Sequence, residues 1–356
     1  MDSGCKFIYE QKEWDSILSG FKQKDVYFEY SYFDLYRCEG ETPVLAFIES
    51  DYGKVAYPFM LRDVHFHSDM DSKIEKGKFF EISTPYGYSG PTVEAKDDKL
   101  KAKSIQLFYK SLSKFCKEKN VISEFIKFSP MLKNHRHLDS AVDVVYQKKM
   151  VAVNLQDYGD PLHGELTHTR LRLVNRRKRK GMVAVPELNP VNIDEQIGIY
   201  LETMCRKHAS SAFMFDKQYF ERMIENMGSD VLLINIYHED ALVSFGLCFL
   251  SGDVIYAHIA GTKQDYRHMS PSDICYAEFV RWGHENGYRY LFLGGGLTSD
   301  ENDSLYLYKR SFSQNTSFDA YIGKKIWNRE DYDYLVSISN HSEEKNRNFF
   351  PAYRDY

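Results

Sequence analysis

Apolar runs of strand length, separated by turn signals, begin near residue 43. "PVLAFIES" (43–50) and "KVAYPFMLRDV" (54–64) flank the turn "DYG", which predicts a hairpin. After the extended "KFFEIST" and the loop "PYGYSGP", Ile105, Phe108, Leu112 and Phe115 recur at spacings of three and four. That period predicts an amphipathic helix within 99–120, leading directly into the strand-like "VISEFIKFS".

The second half repeats the plan. One helix is expected around Ile197, Leu201 and Met204, and another carries Phe220, Met223, Ile224 and Met227 on one stripe. "VLLINIY", "ALVSFGLCFL" and "VIYAHIAG" form a meander turned by "HED" and "SGD". "SPSDICYAEFVRWGHENG" reads as a buried helix with a Ser/Asp start and a Gly stop, and the strand "YRYLFLGG" follows it. "SLYLYKRSF" (304–312) alternates like an extended edge segment. Two halves that both read hairpin, helix, strand predict a mixed α/β (α+β) protein built by duplication, the alternative being one continuous domain whose elements merely resemble each other. Each unit is expected to be a mostly antiparallel mixed sheet flanked by helices. The polar, turn-rich "DYGDPLHGE" marks the join, giving domains at 1–158 and 159–356.

Composition narrows the function classes. A chain of 356 residues with 43% hydrophobic and 27% charged positions buries a real core. Its net charge of −5 argues against a protein that coats DNA. Six scattered cysteines without a CxxC pair suggest reduced thiols and a cytoplasmic setting. No basic-then-apolar leader and no uncharged apolar run of spanning length is visible, so at most peripheral membrane contact is expected.

Several stretches carry candidate chemistry. Gly294, Gly295 and Gly296 match neither a Walker loop nor a dinucleotide loop; glycines at a strand end instead permit close approach of a ligand or backbone. Lys309 reads either as a solvated edge lysine or as a cation that stabilises the oxyanion of acyl transfer. "TRLRLVNRRKRKG" (169–181) places seven Arg or Lys on an expected helix, which reads either as a solvated face or non-specific polyanion site, or as a focused positive field with Arg172, Arg176 and Arg177 binding the acceptor. Tyr86 and Tyr88 in "STPYGYSGP" offer phenolic donors, or cover a core edge. The H-x-H pairs at His65/His67 and His135/His137 lack matching ligands, so no metal is expected. His258 lies within a strand, as a buried imidazole or a proton acceptor. With no G-x-S-x-G elbow and no catalytic cysteine signature, a covalent acyl-enzyme is not expected.

"EISTPYGYSGP", "VISEFIKFSP", "RLVNRRKRKG", the block from "HIAGTKQDYRHMSPSD" to "YLFLGGG", and "DSLYLYKRSFS" together resemble the Fem-like branch of the GNAT acyltransferases. The matches run in order from about residue 80 to 325. The resemblance implies tandem GNAT domains, with the working site in the second. It implies a donor site at Ser270, Ser272, Asp273, Gly294 and Gly295, a catalytic lysine at Lys309, and Tyr86, Tyr88, Glu124 and Lys127 facing an acceptor cleft. Glu124 and His258 are the proton acceptors considered. "YRHMSPSD" lacks the glycines of an ordinary coenzyme A loop, and no heptad arm of the tRNA-using relatives is visible.

The expectation from sequence is an N-acyltransferase moving an acyl group, acetyl above all, from acyl-CoA to an amine on a sugar, nucleotide-sugar or cell-envelope precursor. The alternatives are an aminoacyl-tRNA-dependent transferase acting on a peptidoglycan precursor, and a non-catalytic duplicate that binds a nucleotide-sugar or glycan.

Overall fold

The computed structural model describes residues 4–67, 70–210, 213–339 and 349–354. The chain divides into two compact units, Met1–Gln147 with Ala320–Tyr356, and Lys148–Asp319.

In chain order the first unit carries β1 (Lys6–Ile8), α1 (Gln11–Ser19), α2 (Tyr30–Leu35), the hairpin β2 (Glu41–Ser50) and β3 (Gly53–Asp63), β4 (Phe80–Ser83), β5 (Thr92–Glu94), α3 (Asp98–Glu118) and β6 (Val121–Lys127). Asp97 caps α3 by accepting from the Leu100 amide at 2.8 Å. The stripe Ile105, Phe108, Leu112 and Phe115 is buried in the core with Val44, Tyr57 and Phe59. Burying each such side chain contributes about 1.5–3 kcal/mol.

β7 (Asp143–Asn154) carries the chain into the second unit. There follow α4 (Pro161–Glu165), α5 (His168–Lys178), β8 (Met182–Leu188), α6 (Asp194–Arg206), α7 (Lys217–Met227), β9 (Val231–His238), β10 (Ala241–Ser251), β11 (Val254–Thr262), α8 (Ser272–Glu285), β12 (Tyr290–Gly294) and α9 (Ser304–Arg310). β13 (Ser317–Ile326) returns the chain to the first unit, which α10 (Arg329–Ile338) completes.

The duplication is visible in strand order. The first unit runs β1–β2–β3–β4–β6–β13 with β5 on β3, and the second runs β7–β12–β11–β10–β9–β8. Each contains a meander, a crossover helix and a parallel strand: β4–α3–β6 and β11–α8–β12. An antiparallel strand then flanks the parallel one. β13 supplies it to β6, and β7 supplies it to β12. The chain therefore enters the second unit at Lys148, ahead of the join expected at 158, and the stretch from Ala320 belongs to the first unit. The reason is ladder pairing: Ile322–Ile326 bond to Ser123–Lys127, a partnership that no local sequence signal encodes.

Candidate functional site

The second unit opens where its crossover strands part. β11 and β12 pair through only three residues, from Val254 with Tyr290 to Tyr256 with Phe292. β11 runs on to Thr262 against β10, while β12 bends away to pair Gly294 with Val151 of β7 across a register shift. Gly294 has φ +76°, a conformation that a side chain disfavours, so the bend depends on glycine. The parted strands bound a slot of about 70 Å³, lined by Ala257, His258, Ile259 and Ala260 of β11, Leu293 of β12, Cys275, Tyr276 and Phe279 of α8, and Lys309.

Lys309, expected on an extended edge, sits instead in the last turn of α9. Asp303 decides this: its Oδ1 caps the helix by accepting from the Leu305 and Tyr306 amides, both at 2.9 Å, and its Oδ2 accepts from the Leu297 and Thr298 amides. Alternation had masked the cap. The Lys309 Nζ donates to the Gly295 carbonyl at 2.8 Å, and the Lys148 Nζ donates to the Gly296 carbonyl at the same distance. The glycines thus present carbonyls to two lysines, and a Cβ on Gly295 would lie 2.8 Å from the Met150 sulfur. Burial, with the Lys148 charge adding to it, pushes the Lys309 ammonium down to about 8.

Beside the slot, and sharing Ala260, Ser272 and Tyr276 with it, lies a cavity of about 440 Å³. Its lining includes Arg170, Arg177, Arg206, Lys207 and Arg267, together with Ser270 and Asp273. Ser270 holds φ +49° and Pro271 follows it into α8, so the backbone turn here is made without glycine. Asp273 is buried and paired with both Arg170 and Arg177. Of the three arginines singled out in sequence, only Arg177 faces this cavity; Arg172 and Arg176 are exposed and line a separate groove with Arg179. Arg170 escaped the sequence reading although a signal was present, since it lies seven residues before Arg177 on one helical face.

His258 lines the slot, with Nε2 2.7 Å from the Tyr219 hydroxyl. Burial pushes its imidazole down to about 3, so it is neutral at pH 7 and a weak base. Glu124, expected to face a cleft, has no exposed surface. It belongs to the first unit and accepts from the Tyr109 hydroxyl and the Trp327 indole, both at 3.1 Å. Desolvation pushes its carboxyl up to about 7. Tyr86, Tyr88 and Lys127 are also in the first unit. Tyr86 is 42% exposed, Tyr88 packs edge-on against Tyr27, and the Lys127 amide donates to Thr84 Oγ1 at 3.0 Å. The structure therefore gathers Lys309, His258 and Ser272 around one slot, with the glycine turn bonded to Lys309 and with Ser270, Asp273 and Arg177 lining the adjoining cavity.

Among the described residues no group of three or more His, Cys, Asp or Glu is arranged to hold a metal ion, and no helix is long and apolar enough to cross a membrane.

The family model described as an acetyltransferase (GNAT) domain matches residues 170–310, the stretch that holds the slot and its basic mouth. A curated relative, the UDP-N-acetylmuramoylpentapeptide-lysine N(6)-alanyltransferase of Weissella viridescens, is 26% identical over 166 residues, covering 46% of this chain. The chain spans about half the length of that relative, 48%. The crystal structure of FemX superposes with a TM-score of 0.68 at 10% identity, covering 92% of this chain and 99% of that one. A tandem GNAT protein from the clavulanic acid biosynthesis pathway, solved without AcCoA, gives a TM-score of 0.50 at 9% identity, covering 91% and 99%. The doubled meander–helix–strand unit and these likenesses agree: residues 170–310 match a GNAT acetyltransferase domain, and the fold is similar to that of FemX.

Proposed function

We propose that the protein transfers an aminoacyl group from the 3′ end of a charged tRNA to an amine of a peptidoglycan precursor. The observation that carries this reading is the slot between β11 and β12, which ends on a partly buried lysine and adjoins a strongly basic cavity. The slot suits a small acyl group, and the basic mouth suits the phosphodiester that follows it. The exposed Arg172, Arg176 and Arg179 line a second groove on α5, and this additional basic surface favours a long polyanion over acyl-CoA. The alanyltransferase relative, named for moving an alanyl group to the lysine of a UDP-N-acetylmuramoylpentapeptide, supports the same acyl and acceptor class.

The chemistry balances without a protein nucleophile. The acceptor amine attacks the ester carbonyl, a C–N bond forms, and the C–O bond to the terminal ribose breaks. The amine's proton passes to the departing ribose oxygen. Lys309, cationic below about pH 8, stabilises the oxyanion between these events. His258 is too weak a base, and too firmly engaged by Tyr219, to take the proton.

The test offers the purified protein alanyl-tRNA and acetyl-CoA separately, with UDP-N-acetylmuramoylpentapeptide as acceptor, and follows product by mass spectrometry. Product from alanyl-tRNA alone, weakening steeply with added salt, supports the proposal. Product from acetyl-CoA alone overturns it and restores the acyl-CoA reading.

A further inference from the structure

We propose that Asp273 sets the donor class by filling, with the protein's own carboxylate, the place where Arg170 and Arg177 would otherwise receive a diphosphate. The two arginines project from one face of α5 and converge on a single oxygen, Asp273 Oδ2, with Arg170 Nη1 at 2.5 Å. The other oxygen accepts from the Tyr308 hydroxyl at 2.9 Å. Asp273 is 1% exposed, so this carboxylate is fully committed. Arg170 is fixed further: its Nε donates to Ser311 Oγ at 2.8 Å, and its guanidinium lies over the Tyr308 and Phe312 rings. Arg177 Nε donates to the Met269 carbonyl.

Two preorganised guanidiniums on the wall of a roomy cavity are a ready receiver for paired phosphates. Here the receiver is already occupied. A diphosphate entering the cavity meets a tethered anion that cannot leave, and displacing it would strand a buried charge. A phosphodiester chain carrying one charge per residue needs no such floor and is held by the rim at Arg206, Lys207 and Arg267. Asp273 therefore acts by rejecting the wrong donor as much as by supporting the right one. The inference rests on reading the cavity as the donor entrance.

The experiment titrates pyrophosphate, then acetyl-CoA, into the wild-type protein and Asp273→Asn by calorimetry, with thermal melts in parallel. Wild type is expected to show no saturation at millimolar ligand. Asp273→Asn is expected to bind pyrophosphate at least about tenfold more tightly, with salt-sensitive affinity and a melting midpoint raised by the ligand. If Asp273→Asn alone does not fold, Asp273→Ser, which likewise removes the carboxylate and keeps both guanidiniums, is measured in the same way. Equal binding by wild type, or no gain in the folded variant, overturns the inference. Neither readout uses turnover, so failure of tRNA-dependent transfer with the gain intact would sink the donor reading alone.

Discussion

The two crossovers, β4–α3–β6 and β11–α8–β12, have the same topology and opposite fates. In the first unit the parallel ladder runs from Phe80 with Val121 to Ser83 with Phe125, and the chain stays attached beyond it. The Thr84 amide donates to the Phe125 carbonyl, and Ser89 bridges to Phe128. The acid on that strand, Glu124, is sealed among aromatics. In the second unit the ladder stops after three pairs, and the strands part around a slot that ends on Lys309. A zipped crossover yields packing; an opened one yields a slot.

Four measurements can break or sharpen that contrast. Phe108→Ala, in the fully buried face of α3, is expected to destabilise the protein by about 3–5 kcal/mol. Denaturant unfolding checks this, and transfer per folded molecule should be unchanged; a loss of intrinsic rate would tie the first core to the chemistry. Lys309→Ala is expected to lower kcat by about a hundred- to a thousandfold while leaving the fold intact, as single-turnover kinetics and circular dichroism would report. A variant as active as wild type would remove Lys309 from the mechanism.

The pH profile is next in size. In the proposed mechanism Lys309 acts in its protonated form, and burial pushes it down to about 8, so the rate should fall as pH rises through that value. Lys309→Arg should abolish this alkaline limb, because arginine keeps its proton there.

The smallest effect belongs to Glu124. Its folded pKa, about 7, lies above the ordinary 4.5, so its contribution to stability is full below pH 4.5 and is lost as pH rises through 7. Glu124→Gln should flatten that dependence in urea titrations at pH 5 and pH 8. An unchanged pH slope would mean that another group carries it.

The sequence by itself determined the elements. The hairpin of β2 and β3, the helix α3, the meander β9–β11 and the helix α8 followed from periods and turn residues, because the face an element buries is written in the spacing of its own side chains. Motif order also carried the resemblance to the GNAT domain that residues 170–310 match. α9 was misread because its residues fit both periods and the deciding signal was one capping aspartate. Only the tertiary structure decided the rest: the exchange of β7 and β13, the parting of β11 from β12, the sealing of Glu124 and the meeting of Arg170 and Arg177 with Asp273. Each joins groups far apart in the chain, and local spacing holds no record of which distant partner wins the ladder, the counter-ion or the buried place.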